Sequence, residues 1–430
     1  MIWDFICVGG GAAGFFAAIT HAERGGGATL ILEKSPETLS KVRISGGGRC
    51  NVTHACFDPR ELCLNYPRGE KALRGALHRF GVQDSVDWFT AHGVELKTEA
   101  DGRIFPVTDS SQTIIDCLER AASESGVKTR KNCGVASVEA LGEEAPAEES
   151  EEVARFALET ESGERLLARS VLLATGGTRV VSGAKLAEQL GHRLESAVPS
   201  LFTFKIRDAR LADLPGVSVA QVDCKIVGQK LASTGPLLVT HTGVSGPGIL
   251  KISAWGAREL AECAYRFTLL VNWLPGVDVL AELQALREKA GTRQIDRLSP
   301  FSAIPKRLWA QLVYAAGVEA GQTWASLTKK QRGALVGQLS RGEFEVDGKS
   351  VNKDEFVTCG GATLKQIDFR TMESKRVPGL YFAGEIMDVD GITGGFNFQN
   401  AWTSGYLAGL SSIGVSTQAG RPMDASDSVQ

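Results

Sequence analysis

Long apolar runs are missing from this 430-residue chain. No stretch of about 18 uninterrupted apolar residues occurs, so no transmembrane helix is predicted. Charge of one sign is missing as well: 47 Lys and Arg face 50 Asp and Glu, and a net charge of −3 gives no pull toward nucleic acid or membrane. The 9 cysteines, at 7, 50, 56, 63, 117, 133, 224, 263 and 359, never form C-x-x-C, and no His pair accompanies them. Neither a zinc site nor a disulfide framework is expected, and the thiols read as buried in a reducing compartment. The first residues have no basic n-region, carry Asp4 and break into glycines. They read as a first strand rather than a signal peptide, which gives the expectation of a cytoplasmic protein. No internal repeat, long linker or second G-x-G-x-x-G is present. The length predicts two or three domains.

What is present is concentrated first in residues 1–33. Ile2 to Val8 is a short β-forming run, Gly9 to Gly14 a glycine-rich turn, Phe15 to Ala22 a helical run, and Ala28 to Leu32 a second apolar run closed by Glu33. Gly9, Gly11 and Gly14 fit G-x-G-x-x-G. The first permits the tight turn, the second lets a pyrophosphate approach the backbone, and the third lets helix and strand pack closely. Ala12 and Ala13 open the helix whose free N–H groups and partial positive charge face the phosphates. Glu33, 19 residues past Gly14, stands where an acid accepts hydrogen bonds from a ribose, with Lys34 beside it.

A second glycine block follows Lys41 and Arg43: Ser45, Gly46, Gly47, Gly48, Arg49, Cys50, Asn51. Three adjacent glycines give backbone stripped of side chains, bracketed by donors, against which a flat ring or a phosphate can lie. Further on, Glu70 to Phe80 and Asp84 to His92 have helical spacing, Gly102 to Val107 is a turn and strand, and Ser110-Ser111 caps a helix through Ala121. Val127 to Arg130 and Gly134 to Val138 read as strands, Leu141 to Glu152 as an acidic solvated loop. Phe156 to Thr160 and Arg165 to Leu167 complete a meander, and Ser170 to Leu173 is a buried strand leading to Thr175, Gly176 and Gly177.

The expected organisation is an α/β protein with a discontinuous Rossmann-type FAD domain, 1–197 and 355–413. A β-rich insert covers 198–276 and 340–354, a helical subdomain 277–339, and a frayed tail 414–430. The returning segment holds a buried strand ending at Gly384-Glu385, then Asp388 and Asp390, then Gly394-Gly395-Phe396-Asn397 entering a helix. One Rossmann unit at the start and these glycine turns at the end suit a long dinucleotide. FAD needs a pyrophosphate turn, a ribose acceptor and a distant bed for its ring, more than one motif supplies. Val135 is placed to edge the adenine. The block from Ser45 to Asn51 and the turn from Gly394 to Asn397 form the bed, with a helix N-terminus aimed at the ring.

These motifs resemble a bacterial and archaeal family of FAD-binding oxidoreductases described as aminoacetone-oxidase-like or bile-acid 3-oxo Δ4/Δ6-reductase-like flavoproteins. The resemblance rests on Ile44–Thr53, Gly102–Pro106, Ala174–Gly177, Thr240–Pro247, Thr371–Ser374 and Gly394–Asn397, which span nearly the whole chain. It implies a FAD domain like that of the glutathione-reductase and fumarate-reductase group, a β-barrel-like insert and a helical lid. Phe396 and Phe398 depart from the Tyr and Leu expected there.

For chemistry, the leading expectation is a reductase that takes hydride from NAD(P)H, bound transiently, and passes it through FAD to a small organic acceptor such as an activated C=C. The alternatives are a flavin-dependent amine oxidase, a flavin-dependent tRNA-modifying enzyme, or a redox sensor. The near-neutral charge speaks against nucleic acid as partner. His241 is a candidate substrate-side donor or acid, with a structural histidine as the other reading. Cys50 is a candidate redox thiol, or a packed one. Arg43 and Arg49 suit an anionic substrate or the pyrophosphate. Asp388 and Asp390 suit ribityl hydroxyls or turn caps.

Overall fold

The computed structural model describes residues 1–141, 153–178, 181–350 and 357–417. They fall into two compact units, Met1–Ala197 with the residues from Val357 onward, and Val198–Phe356.

In the first unit, strands Leu380–Phe382, Arg165–Leu173, Ile2–Val8, Thr29–Leu32 and Lys128–Arg130 lie side by side and parallel, in that order. Val8 pairs with Leu32 on one side and Leu173 on the other, and Leu173 with Phe382. The strands therefore end at one edge, on either side of the point where strand order reverses. That is where open α/β sheets bind ligands. Thr29–Leu32 is buried throughout, as parallel strands covered on both faces are. Val135–Ala140 and Phe156–Thr160 form an antiparallel meander onto Arg165–Leu173.

Helix Ala12–Glu23 covers one side of this sheet and is itself covered by the long helix Phe396–Thr417. Gly405 and Gly409, one turn apart, make that crossing possible. A Cβ on Gly405 would lie 2.7 Å from the Ala13 carbonyl oxygen, and one on Gly409 would run into that of Ala17. A small antiparallel sheet of Thr53–His54, Arg103–Pro106 and Leu96–Thr98 completes what the site needs.

The second unit is a closed barrel of six antiparallel strands. Around it run Phe204–Ile206, Gly243–Ser245, Ala232–Thr240, Ser218–Ile226, Arg266–Asn272 and Gly342–Lys349, the last pairing back onto the first. Helices Val279–Lys289, Lys306–Ala315 and Lys329–Ser340 are inserted between the last two strands and share a core with the barrel through Trp273, Trp309 and Leu335.

Several elements differ from expectation. Arg165–Leu173 is one strand, not two, and the Arg169 guanidinium in its middle is held by Asp4 at 2.5 Å. Helices Pro247–Trp255 and Ala257–Glu262 lie in the stretch read as β-rich, and helix Val181–Gln189 in one for which no element was expected. The acidic loop expected over 141–152 falls, beyond Leu141, outside the described residues, as do Glu355, Phe356 and the tail beyond 417. Among the described residues, no helix is long and apolar enough to cross a membrane.

Two buried histidines give the unit a pH dependence. His21 sits between the Gly26 carbonyl and the Ser412 hydroxyl, at 2.5 and 2.7 Å, and His192 meets the Ser374 hydroxyl at 2.8 Å. Burial lowers both pKa values, helped at His192 by the Arg376 charge. Below the ordinary histidine pKa of about 6.5 the unfolded chain binds protons that the native state refuses, so stability falls with pH there. Thermal melts should show a Tm several degrees lower at about pH 5.5 than at about pH 7.5, and a smaller drop in His192→Asn.

Candidate functional site

The site is built at the shared strand edge. Gly9 leaves strand Ile2–Val8, and a Cβ there would run into the Ala174 carbonyl. Gly14 packs so closely that a Cβ would meet the Gly9 carbonyl oxygen. Helix Ala12–Glu23 then starts at Gly11 with no side-chain cap and no acid in its first turn. Its first N–H groups are left as donors, next to open space above Gly11, where an added Cβ would touch nothing within 4 Å.

Glu33 is held in place by its neighbours. Oε2 accepts from the Gly10 N–H at 2.8 Å, and Oε1 accepts from the Ser35 N–H at 2.8 Å and from the Ser35 hydroxyl. Both oxygens keep lone-pair capacity for an outside donor. Val135 is buried on the strand that follows Cys133, whose N–H binds the Glu33 carbonyl at 2.8 Å. Lys34 points away to an exposed ion pair with Glu161 at 2.6 Å.

The glycine block is partly helical. Ser40–Gly48 is assigned as one helix, but Ser45 is extended and Gly46 and Gly47 have φ of +58° and +70°, a conformation that favours glycine. Gly47 and Gly48 face open space, whereas Gly46 rests on Phe105, whose ring lies 3.0 Å from where a Cβ would sit. Phe105 belongs to Arg103–Pro106, so two of the motifs are one structure. The Arg49 guanidinium lies 4.0 Å over the same ring and is paired with Glu99 at 2.6 Å, which occupies the cation expected to bind an anion. Arg43 leans on Gln112 at 2.8 Å.

The two distant glycine blocks meet. With its amide nitrogen turned toward the carbonyl, Asn51 donates to the Thr53 carbonyl at 2.9 Å and accepts from the Gly395 N–H at 3.0 Å. Gly395 packs on the Thr53 backbone, a Cβ there falling 2.6 Å from the carbonyl carbon. Phe396 stacks on His54 at 4.8 Å, and Asn397 closes its own turn onto Gly391, accepting at 2.8 Å and donating at 2.9 Å. Gly384 donates to the Ser404 hydroxyl at 2.9 Å. Glu385 accepts from the Thr358 N–H at 2.7 Å and pairs with Lys41. Gly177 lies against Thr358 and Glu385, Gly176 opens to free space, and the Thr175 hydroxyl is buried without a partner among the described residues.

Two further residues, Cys50 and Asp390, depart from their expected roles. Cys50 is fully buried, and burial pushes its thiol up to about 12, so it stays protonated and packs rather than reacts. Asp390 is fully buried and its carboxylate is gripped by Arg68, Nε to Oδ1 at 2.5 Å and Nη2 to Oδ2, rather than free for a ribityl hydroxyl. His241 occupies the exposed turn between Ala232–Thr240 and Gly243–Ser245, in the barrel unit. Sequence reasoning missed Arg68, Phe105 and the buried polar row of the last helix. In that row Gln399 accepts from Thr53 at 2.6 Å and donates to Ser85 at 3.0 Å. Polar residues at 399, 400, 403 and 404 in an otherwise apolar helix are the signal that marked it.

A family model described as the HI0933-like protein Rossmann domain matches residues 3–411. The chain belongs to the HI0933-like family. It is 30% identical over 414 residues to the ribosomal RNA dihydrouridine synthase of Escherichia coli K12, covering 94% of this chain and 96% of that one. It is also 30% identical over 420 residues to the 3-dehydro-bile acid delta(4,6)-reductase of Clostridium scindens, covering 94% and 97%. Among solved structures it shares the fold of 3-ketosteroid delta1-dehydrogenase from Sterolibacterium denitrificans, with a TM-score of 0.52, 13% identity, and coverage of 96% and 99%. This HI0933-like chain is an enzyme, a flavoprotein oxidoreductase of the FAD type.

Proposed function

We propose that this protein reduces a C=C bond conjugated to a carbonyl, with NAD(P)H as electron source. The observation that carries the reading is the junction of the Gly46–Gly48 and Gly394–Gly395 backbones through Asn51, with Gly47 and Gly48 facing open space, on the unit that carries the uncapped helix start at Gly11. Free donors, open space above Gly11, Gly47, Gly48 and Gly176, and the orphaned Thr175 hydroxyl suit a flat, phosphate-bearing cofactor. Bound FAD supplies hydride chemistry there. The N–H groups of Gly11, Ala12 and Ala13 would hold its pyrophosphate, Glu33 its ribose, and the two glycine blocks its ring, with Thr175, Gly176, Gly384 and Glu385 between them.

The acceptor class follows from what two relatives share. A delta(4,6)-reductase acting on a 3-dehydro bile acid and a synthase making dihydrouridine both saturate a C=C bond in conjugation with a carbonyl. Such a reduction needs hydride at the β-carbon and a proton at the α-carbon. His241 is our candidate proton donor. His241→Gln should leave flavin reduction by NAD(P)H intact and slow acceptor turnover by about 10²-fold.

The test is anaerobic absorbance of the purified protein with NADH or NADPH, followed by a 3-oxo-Δ4 steroid or a uridine-containing RNA. Flavin that bleaches with nucleotide and recovers with either acceptor supports the reading, and the acceptor that works names the substrate. Bleached flavin that neither acceptor reoxidises, or protein without flavin after reconstitution, overturns it. Glu33→Gln keeps the hydrogen bonds to Gly10 and Ser35 at one oxygen only, and should weaken FAD binding by about tenfold in titration.

A further inference from the structure

The net charge of −3 conceals a division. Residues 198–356 carry 20 Lys and Arg against 15 Asp and Glu, and the rest of the chain 27 against 35. Within the barrel unit the excess sits in the inserted helices: residues 277–339 hold 9 cations and 5 anions.

The cations are gathered at one end of a helix pair. Arg287 and Lys289 come from the last turn of Val279–Lys289, and Lys329, Lys330 and Arg332 from the first turn of Lys329–Ser340. The two helices pack on each other, and Arg287 and Arg332 line a common pocket of about 550 Å³ with Gln284, Glu288 and Ala325. The turn carrying Arg293 is pinned beside it, with Ala325 N–H to the Gly291 carbonyl at 2.9 Å and Trp324 N–H to the Arg293 carbonyl at 3.1 Å.

None of these six cations has an ion pair or a side-chain hydrogen bond among the described residues, although Glu288 lies in the same pocket. Several arginines elsewhere are paired with carboxylates, among them Arg49, Arg68, Arg103, Arg130, Arg169, Arg210 and Arg370. Cations in the first turn of a helix also oppose its dipole, and like charges so close repel. Arg287 and Lys289 suit the C-terminal end of their own helix, but folding gains nothing from Lys329, Lys330 and Arg332 at the start of theirs. A partner bearing repeated negative charge gains from all of them.

We propose that this face of the helical insert docks the sugar–phosphate backbone of RNA. The inference rests on the C=C-reductase reading in its uridine form. The pocket is open, with Arg287 and Arg332 in its lining, and the other cations lie on the same two helices and the turn beside them rather than converging on one buried point. That arrangement fits phosphates repeated along a strand better than a single small anion. The face holds register without reading bases, and the choice of base is left to the reducing site.

The test uses the FAD-loaded protein and a fluorescein-labelled, uridine-containing RNA stem-loop of about 30 nucleotides, followed by anisotropy at several salt concentrations. Arg287→Glu/Arg332→Glu and Lys329→Glu/Lys330→Glu change only exposed or half-exposed side chains, and the flavin spectrum and Tm verify that each folds. Wild-type binding should weaken by about 10²-fold or more between about 50 and about 200 mM salt, and each double variant should bind at least about 10-fold more weakly at constant salt. Steroid reduction should be unchanged in both variants. Wild-type protein that does not bind RNA, or variants that bind it as well as wild type, overturn the docking inference, and neither result touches steroid reduction. RNA binding that is lost in the variants, in a protein that reduces neither acceptor, upholds the docking face and overturns the catalytic reading.

Discussion

Gly11→Asp should give a folded protein that holds no flavin. Gly11 has φ −91° and ψ −172°, extended backbone open to any residue, and an added Cβ meets nothing within 4 Å. Aspartate at that position caps a helix that now lacks a cap, a gain of about 0.5–2 kcal/mol for the empty protein. The same carboxylate takes the donors meant for the pyrophosphate and places a negative charge where two more are due. FAD affinity should fall by at least about 100-fold, near 2.8 kcal/mol. Flavin absorbance per polypeptide, read beside a Tm equal to or above wild type, checks both halves. Normal flavin content would remove Gly11 from the phosphate site.

Gly409→Val should have the opposite signature and cost the fold itself. The new side chain would have to enter the space of the Ala17 carbonyl, where backbone on both sides leaves nothing to move. The helices must separate, stripping cover from Phe16 and Leu407, both now buried. Overpacking costs of about 1–3 kcal/mol assume that neighbours can yield; here the loss should exceed about 3 kcal/mol. Urea denaturation measures it. Gly337→Ala is the control: it sits inside Lys329–Ser340 with nothing near its Cβ, and should stabilise that helix by up to about 1 kcal/mol. Equal melting of Gly409→Val and wild type would show that the crossing is looser than drawn.

Glycine explains why much of the fold was readable in advance. Gly9, Gly14, Gly46, Gly47 and Gly395 stand where backbone meets backbone or turns left-handed, and no other residue fits, so the constraint is written in the residue itself. The Rossmann unit, the barrel-bearing α/β class and the family resemblance follow from such positions together with strand periodicity. What stayed hidden depends on partners far away in sequence. Asp390 looked available because Arg68 is 322 positions off, and Arg49 because Glu99 is 50 off. Cys50 beside a glycine bed suggested reactivity, yet burial decides it. A near-neutral sum hid two units of opposite charge because summation discards location.

The crossing of the first and last helices also sets a timetable for synthesis. The fingerprint of residues 9–33 leaves the ribosome early, but Gly405 and Gly409, which close over Ala13 and Ala17, follow about 370 residues later. At about 5–20 residues per second, that interval lasts about 20–80 s. During it the first helix has no cover, while the barrel, whose strands all lie within residues 198–356, has everything it needs to form. The first helix therefore gains its cover only after helix Phe396–Thr417 has been made, and the flavin bed is complete no earlier.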